Sequence, residues 1–141
     1  MRRSDLMHIL RAAARITGDA DILVIGSQAI LGSYWEDELP EAAWMSAEAD
    51  LAFFDDPDAA KADAVDGGIG EGSEFHATFA YYGQGVEVST AVLPAGWRDR
   101  VVRVEDQAAE PAHAVCLDKH DLVVSKLIAG REKDWEFAFA L

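Results

Sequence analysis

The first stretch of the chain carries a helical pattern of apolar residues. Apolar side chains recur every three or four positions between Leu6 and Ile16, which is the spacing of one face of an amphipathic helix. Ser4 is a suitable N-cap residue, and Gly18 is a suitable stop. We therefore predict a first helix that begins after Ser4 and ends at Gly18.

A short apolar run follows, and it has the character of a buried strand. Residues 21–26, DILVIG, are rich in β-branched side chains and end at a glycine, as short buried strands do. Residues 27–35, SQAILGSYW, return to helical spacing, so a helix is predicted to begin directly after this strand. Residues 35–43, WEDELPEAA, predict an acidic loop with a proline inside it.

The middle of the chain predicts further strands and one helix. The alternating segment SAEADLAFF predicts a second strand over about residues 46–54. The Asp-Pro pair at 56–57 suits the start of a helix of modest length, and the glycines between 67 and 72 predict a loop. Residues 75–94, FHATFAYYGQGVEVSTAVLP, predict two strands joined through the Gly-Gln-Gly at 83–85.

The last third of the chain completes a mixed α and β pattern. Residues 100–104 alternate and predict another strand, and residues 119–141 predict a closing helical stretch. The apolar end, EFAFAL, fits either a final helix packed on the body or a truncated chain. Helices combined with a partly antiparallel sheet indicate an α/β or α+β fold, a small mixed sheet flanked by helices. We expect residues 1–141 to form a single domain.

The composition is typical of a globular protein. Half of the 141 residues are hydrophobic and 27% are charged. No apolar run reaches the length of about 18 residues that a membrane helix needs, and no apolar signal core follows the basic N-terminus. The single cysteine, Cys116, is predicted to pack as a small hydrophobe in a reducing compartment. We expect a cytoplasmic location and no membrane partner.

The charge is strongly acidic and unevenly spread. The formal net charge is −14, which disfavours nucleic-acid and anionic-membrane partners with long contact surfaces. Residues 36–66 hold eleven acids and one base, whereas the basic residues gather near the N-terminus, at 98–103 and at 119–133. Such clusters either bind phosphates locally or form solvated helix faces.

The acid pair Glu48 and Asp50 is the first candidate for chemistry. Residues two apart on a strand share a face, so two like charges are predicted to lie side by side, where they repel each other. A divalent cation removes this repulsion, because Mg²⁺ takes carboxylate oxygens together with waters and substrate phosphates. An E-x-D pair also occurs by chance, and a half-exposed strand edge tolerates one.

The residues before the pair give it a context. Gly26 and Ser27 connect the first predicted strand to the next predicted helix, and backbone N–H groups at such a junction suit a phosphate. The run IGSQAI followed by the acidic strand SAEADLAFF resembles the signature of minimal nucleotidyltransferases of the polymerase-beta-like superfamily. That signature is a hydrophobic strand, a Gly-Gly or Gly-Ser, a helix and then D-x-D or a variant.

A second resemblance lies nearer the C-terminus. DLVVSKLIAGREKDWEF (121–137) is similar to the C-terminal block of a bacterial group of that superfamily, uncharacterised proteins related to the abortive-infection toxin nucleotidyltransferases. LPAGWRDR (93–100) also matches this group. The resemblance implies transfer of a nucleoside monophosphate from a nucleoside triphosphate to an acceptor, with Mg²⁺ or Mn²⁺.

The resemblance also implies roles for single residues. Gly26 and Ser27 would hold the triphosphate, and Glu48 and Asp50 would hold the metal and carry catalysis. Lys126 would face the phosphates or the acceptor from the last helices as a further catalytic residue. Arg131, Lys133 and Asp134 would lie beside Lys126 and complete the same wall of the nucleotide-binding site.

Three departures from the family pattern keep alternatives open. The first acid of the pair is a glutamate, and the gap from Ser27 to Glu48 is long. The third carboxylate is the least defined; Glu87 in GVEVST is the candidate metal ligand, although its strand register could also point it into solvent. The bases at 126–133 could instead be a solvated helix face with surface ion pairs.

Three classes of function therefore compete. The first is a Mg²⁺-dependent nucleotidyltransferase, in the setting of a toxin–antitoxin pair, with tRNA, a protein or a small molecule as the acceptor and an antitoxin as the partner. The second is a catalytically inactive nucleotide-binding or partner-binding module with the same fold. The third is a structural or partner-binding protein whose exposed acids and apolar C-terminus form an interface. A third carboxylate beside Glu48 and Asp50 is the feature that would separate them.

Overall fold

The computed structural model describes residues 1–141, and its sheet has five strands in the order β3-β2-β1-β5-β4. The strands are β1 (Asp21–Val24), β2 (Glu48–Ala52), β3 (Tyr82–Gly85), β4 (Val102–Val104) and β5 (His113–Cys116). The α-helices are α1 (Arg3–Thr17), α2 (Glu41–Trp44), α3 (Ala60–Ile69), α4 (Glu74–Phe79), α5 (Trp97–Arg100), α6 (Lys119–Ala129) and α7 (Glu132–Ala140).

The sheet is mixed, as the sequence predicts. The pairs β1–β2 and β4–β5 are antiparallel. The pairs β1–β5 and β2–β3 are parallel. Helices flank this sheet, so the predicted α/β class with a small mixed sheet is confirmed. No helix has both the length and the apolar character needed to cross a bilayer.

Helix α1 closes one side of the core. Its apolar face is fully buried from Leu6 to Ala14, and it ends at Gly18, which adopts a left-handed conformation with φ 73°. The predicted N-cap at Ser4 is wrong, because the helix begins at Arg3. Asp5 instead accepts a hydrogen bond from the backbone N–H of Arg2 at 2.9 Å and satisfies one of the free donors there.

The segment 75–94 differs from its prediction. Residues 74–79 form helix α4, capped by Ser73, whose hydroxyl accepts from the backbone N–H of His76. The Gly-Gln-Gly at 83–85 lies inside strand β3 rather than in a turn. Its last glycine permits close packing, since a Cβ at Gly85 would collide with the Ala62 carbonyl oxygen of α3. A short alternating pattern cannot distinguish this arrangement from a hairpin.

Other boundaries shift for local reasons. The helix predicted over 27–35 is a 3₁₀ helix over Ser27–Gly32, and the acidic loop at 35–43 contains a 3₁₀ turn and the start of α2. The predicted glycine loop at 67–72 begins inside α3, which runs to Ile69. The closing helical stretch divides into α6 and α7 at Gly130, whose φ is 69°.

An ion pair between the partly exposed Arg100 and a buried acid joins the segment 93–100 to helix α6. Arg100 donates two hydrogen bonds to the carboxylate of Asp121, at 2.9 and 2.8 Å, and a third to the carbonyl oxygen of Ala95. The Asp121 side chain is only 5% exposed. A bidentate contact of this kind fixes both position and orientation. The two segments that resemble the nucleotidyltransferase group are thus tied together by a structural contact.

We predict that this pair stabilises the fold more than an exposed pair of the same type. Arg100→Met leaves a buried carboxylate without its cation, so the midpoint of thermal unfolding should fall. Arg103→Met is the matched control, because Arg103 and Asp21 form a 2.8 Å pair that is about half exposed on both sides. The double variant Arg100→Met/Asp121→Leu should recover most of the loss. Equal shifts for Arg100→Met and Arg103→Met would contradict the prediction.

Candidate active site

Strand β2 places the acid pair on one face of the sheet. Ala49 is fully buried between Glu48 and Asp50, whose side chains emerge together on the opposite face and are partly exposed. The strand is held on both edges: Glu48 lies opposite Tyr82 of β3, and the backbone N–H of Ile25 donates to the carbonyl oxygen of Asp50 at 3.1 Å. The predicted same-face arrangement is therefore present in the structure.

The pair opens into a cleft between β2 and the last two helices. This cleft has a volume of about 290 Å³. Charged and polar side chains dominate its lining: Ser27, Gln28, Ser46, Glu48, Asp50, Lys126, Arg131, Lys133, Asp134 and Glu136. The remaining wall is apolar and consists of Ala42, Ala43, Met45 and Phe137. The cleft thus brings together seven of the nine residues that the sequence singles out, all but Gly26 and Glu87.

Glu48 is held by a neighbouring strand. The hydroxyl of Tyr82 donates to Glu48 Oε2 at 2.7 Å. Burial alone would raise the pKa of Glu48, but hydrogen bonds from Asp50 and Tyr82 and the charges of Lys133 and Lys126 together lower it. Glu48 is therefore the charged member of the pair, and its orientation is fixed before any ligand arrives.

Asp50 is the member of the pair that keeps its proton to higher pH. Burial raises the pKa of Asp50 to about 7, and the hydrogen bond and negative charge of Glu48 add to the effect. The charges of Lys126 and Lys133 oppose the rise without cancelling it. Two carboxyl groups this close share a proton near neutral pH, because both cannot ionise without repulsion.

Gly26 makes room for Asp50. A Cβ at residue 26 would collide with Asp50 Oδ2 and would lie only 2.9 Å from its Cγ, so no larger residue fits here without displacing the acid. Gly26 lies on an adjoining cavity of about 180 Å³, and Asp50 lines both spaces. The structure thus shows a packing role for Gly26, and its role as a phosphate ligand stays a prediction.

Ser27 begins a short helix at the rim of the cleft. The 3₁₀ helix that starts here has six residues, so its dipole is weaker than that of the full helix predicted from the sequence. The backbone N–H groups of Ser27 and Gln28 donate to no backbone carbonyl, since the first such bond is from Ala29 to Gly26. These free donors are compatible with the predicted phosphate contact.

The basic wall of the cleft is built around a buried acid. Asp134 is 1% exposed and accepts from Arg131 Nε at 2.6 Å, from Arg131 Nη2 at 3.1 Å and from Lys126 Nζ at 3.3 Å. Burial alone would raise the pKa of Asp134, but these two cations outweigh it and the pKa is lowered. Asp134 therefore positions Lys126 and Arg131, and α7 is fixed against α6.

The cations of this wall differ in their freedom. The Lys126 side chain is 14% exposed, so it does not lie on a solvated helix face. Lys133 is exposed, makes no ion pair and contributes positive charge to both Glu48 and Asp50. Lys133 is thus the cation of the cleft that is free to take a new anionic partner without breaking an existing contact.

Glu87 does not join the acid pair. It is exposed and follows the end of β3, just before a 3₁₀ turn at Val88–Thr90. No group of three or more His, Cys, Asp or Glu side chains lies close enough to hold a metal ion. Strand β3 ends at Gly85, so the alternation assumed for residues 86–88 does not apply. The structure therefore does not support Glu87 as a third ligand.

One residue that lines the cleft, and one that supports it from outside, were missed by the sequence analysis. Tyr82 supports Glu48, and Gln28 lines the cleft as a fully buried amide. Tyr82 could have been found only from the parallel pairing of β2 with β3, which the predicted hairpin excludes. Gln28 directly follows the Gly-Ser at 26–27, and its polarity inside an otherwise apolar run was the available signal.

The donor set fits a hard divalent cation. Glu48 and Asp50 supply carboxylate oxygens on one face of one strand, and the cleft beside them has room for waters and phosphates. Mg²⁺ is commonly held by one or two carboxylates plus substrate phosphates rather than by a full protein cage. Burial and the neighbouring Glu48 raise the pKa of Asp50, and Lys126 and Lys133 offset this only in part, so a further positive charge would be favourable here.

We predict that Asp50 destabilises the folded protein at neutral pH. Between pH 3.8 and about 7 the unfolded chain has released this proton while the folded chain keeps it, so stability falls as pH rises, by at most about 1.4 kcal/mol per pH unit. Asp50→Asn retains a donor to Glu48 and should be more stable than wild type at pH 8 but not at pH 4. Urea unfolding at the two pH values measures this.

The matched control is Asp63→Asn, which removes one exposed carboxylate of α3. It corrects for the general benefit of removing one negative charge from a chain of net charge −14. The prediction would be contradicted if Asp50→Asn raised the free energy of unfolding equally at both pH values. It would also be contradicted if Asp50→Asn raised it at pH 8 no more than Asp63→Asn does.

Comparison with known proteins places the chain in a family. The model of a family described as "Nucleotidyltransferase of unknown function (DUF6036)" matches residues 4–138. Searches of curated proteins and of solved structures gave no match to this chain. The family match spans nearly the whole sequence, including the acid pair, the Gly-Ser turn and the basic wall. The chain therefore belongs to this family of nucleotidyltransferases.

Proposed function

We propose that the protein is a Mg²⁺- or Mn²⁺-dependent enzyme that transfers a nucleoside monophosphate from a nucleoside triphosphate to an acceptor. One observation carries this proposal: a single cleft joins the Glu48 and Asp50 carboxylates to a wall with three cationic side chains. The carboxylates suit a metal ion, and the cations suit a triphosphate. Family membership supports the reaction class.

Different residues at the cleft would bind the metal ion and support the residues that bind it. Glu48 and Asp50 would hold the metal ion, which when bound neutralises phosphate charge and orients the reacting groups. Tyr82 orients the carboxylate of Glu48 through a hydrogen bond. Gly26 has no side chain that would collide with the carboxyl group of Asp50. Because preorganised groups need no rearrangement during the reaction, this support favours catalysis.

The basic wall would bind the phosphates. Lys133 is free of ion pairs and Lys126 lies at the floor of the cleft, held by Asp134. Arg131 is committed to Asp134 through two hydrogen bonds, so its main role is to fix the wall. Ser27 also lines the cleft, and its free backbone N–H would contact the same phosphates.

The biological role and the acceptor of the transferred group are inferred from the resemblance and from the charge of the chain. The segments 93–100 and 121–137 resemble the abortive-infection toxin group, which supports a role as the toxin of a toxin–antitoxin pair with an antitoxin partner. The net charge of −14 disfavours a long nucleic-acid contact. A protein or a small molecule is therefore favoured over tRNA as the acceptor.

A second candidate function has one observation in its favour. Glu48 and Asp50 form a pair, and although Asp134 and Glu136 also line the cleft, no third acid lies close enough to form a metal-binding group of three. A protein with this fold could then bind a nucleotide or a partner without transferring anything. Release of pyrophosphate in the presence of metal and a suitable acceptor distinguishes the enzyme from such a binding module.

We predict that metal ions strengthen nucleotide binding through the acid pair. Calorimetric titration of ATP, GTP, CTP and UTP should show tighter binding with Mg²⁺ or Mn²⁺ than with EDTA, because a cation held by Glu48 and Asp50 would also attract the phosphates. Asp50→Asn should remove this gain, whereas Asp63→Asn should keep it. If wild type and Asp50→Asn bind equally with and without metal, Asp50 is not part of a metal site.

We predict a separate contribution from Lys126. Its contact with a phosphate would be charge-assisted and worth about 1.5–3 kcal/mol, so Lys126→Ala should weaken triphosphate binding or transfer by about ten- to a hundredfold. The variant should also unfold at a lower temperature, because the buried Asp134 loses one cation. Lys119→Ala on the same helix is the control, since Lys119 contacts Tyr34 away from the cleft. Unchanged affinity and transfer in folded Lys126→Ala would limit this lysine to positioning α7.

A further inference from the structure

One polar side chain in the cleft has hydrogen-bonding capacity that the protein leaves unused. Gln28 is fully buried in the 3₁₀ helix that follows β1, and it lines the cleft together with Glu48 and Asp50. Its Oε1 has no hydrogen-bond partner. Its Nε2 reaches only the hydroxyl of Ser27, at 3.5 Å, which is the outer limit for such a bond.

The orientation of the amide does not change this conclusion. If the oxygen and nitrogen exchange places, the oxygen can accept weakly from Ser27 and the nitrogen becomes the atom without a partner. Either way, one end of a buried amide lacks a protein partner. Buried polar groups are almost always paired, and a methionine or leucine of similar volume would avoid the cost. The glutamine therefore suits a purpose other than packing.

The position of Gln28 in the cleft indicates what it could contact. Its 3₁₀ helix packs against α2, which contributes Ala42 and Ala43 to the apolar wall, and α2 in turn contacts α7. The cationic wall on α6 and α7 suits the phosphates. The apolar part of the cleft then remains for the rest of the substrate, and Gln28 is the fully buried polar side chain of the lining that is not an acid.

We propose that Gln28 recognises the nucleoside of the substrate through its side-chain amide, an inference that rests on the proposed nucleotidyl transfer. A primary amide both donates and accepts, so it matches the edge of a nucleobase or a ribose hydroxyl. A site that needs such a partner rejects a nucleotide that lacks it, since the amide then stays unpaired. Gln28 is thus a specificity residue, distinct from the acids and cations that handle metal and phosphate.

Stability and selectivity should separate in a Gln28 variant. Replacing an amide that the protein already satisfies destabilises the fold, whereas replacing one that waits for a ligand is neutral or stabilising. Gln28→Met keeps the length of the side chain and removes both polar atoms. Its unfolding temperature should equal or exceed that of wild type. Gln28→Leu provides a second apolar replacement, and Gln107→Met provides a control at an exposed glutamine outside the cleft.

The binding experiment uses phosphate-only and nucleoside-containing probes. Wild type, both Gln28 variants and Gln107→Met are titrated with inorganic tripolyphosphate, the four ribonucleoside triphosphates and their 2′-deoxy forms, all with Mg²⁺. We expect wild type to prefer one nucleotide, and the Gln28 variants to lose about threefold to tenfold of that preference, as for one neutral hydrogen bond. Tripolyphosphate affinity should stay unchanged. If the Gln28 variants lose the preference for one base, Gln28 contacts the base. If they lose the preference for the ribonucleotide over its 2′-deoxy form, Gln28 contacts the sugar.

The outcomes distinguish this inference from the proposed function. If wild type binds tripolyphosphate but treats all nucleotides alike, or if the Gln28 variants keep the wild-type preference, the role of Gln28 is refuted while the phosphate site stands. Both Gln28 variants unfolding below Gln107→Met would also refute it, because the amide would then be structural. If wild type binds no probe at all, the proposed function fails together with this inference.

Discussion

The candidate site of this protein is organised around two carboxyl groups that one strand holds on the same face. Glu48 and Asp50 must lie on the same face because they are two residues apart, and the fully buried Ala49 fixes which face that is. The surroundings reduce the repulsion only in part: Tyr82 donates to Glu48, while burial leaves the pKa of Asp50 raised. The unfavourable energy that remains is what a bound cation could remove.

The other buried acids of the chain are satisfied by their own cations. Asp121 is held by Arg100, and Asp134 is held by Arg131 and Lys126. These contacts fix α6 against α5 and α7 against α6, so the two helices that carry the basic wall have a defined position relative to each other. The segments 93–100 and 121–137 thus form the framework that holds the wall.

The sequence predicted the fold class and singled out seven residues that line the candidate cleft, for reasons that are local. Same-face placement of Glu48 and Asp50 follows from the period of a strand, and the helices follow from their apolar spacing. What failed depended on pairing between distant segments. The structure of residues 75–94 depends on the packing of β3 against α3 and on the parallel pairing of β3 with β2. Because the sequence pattern predicts neither contact, it also failed to predict the positions of Tyr82 and Glu87.

The buried polar groups fall into two classes, and the difference indicates where function lies. Asp121 and Asp134 find partners within the chain, as folding alone would require. Two side chains contain buried atoms without any partner, Arg3 and Gln28. The Arg3 guanidinium packs over the Trp35 ring at 4.3 Å, which compensates it in part, and Arg3 lies outside the cleft. Gln28 has no such compensation and lines the same cleft as Asp50, whose pKa is raised, so two departures from the rules of folding occur in one cleft, as expected where a ligand completes the structure.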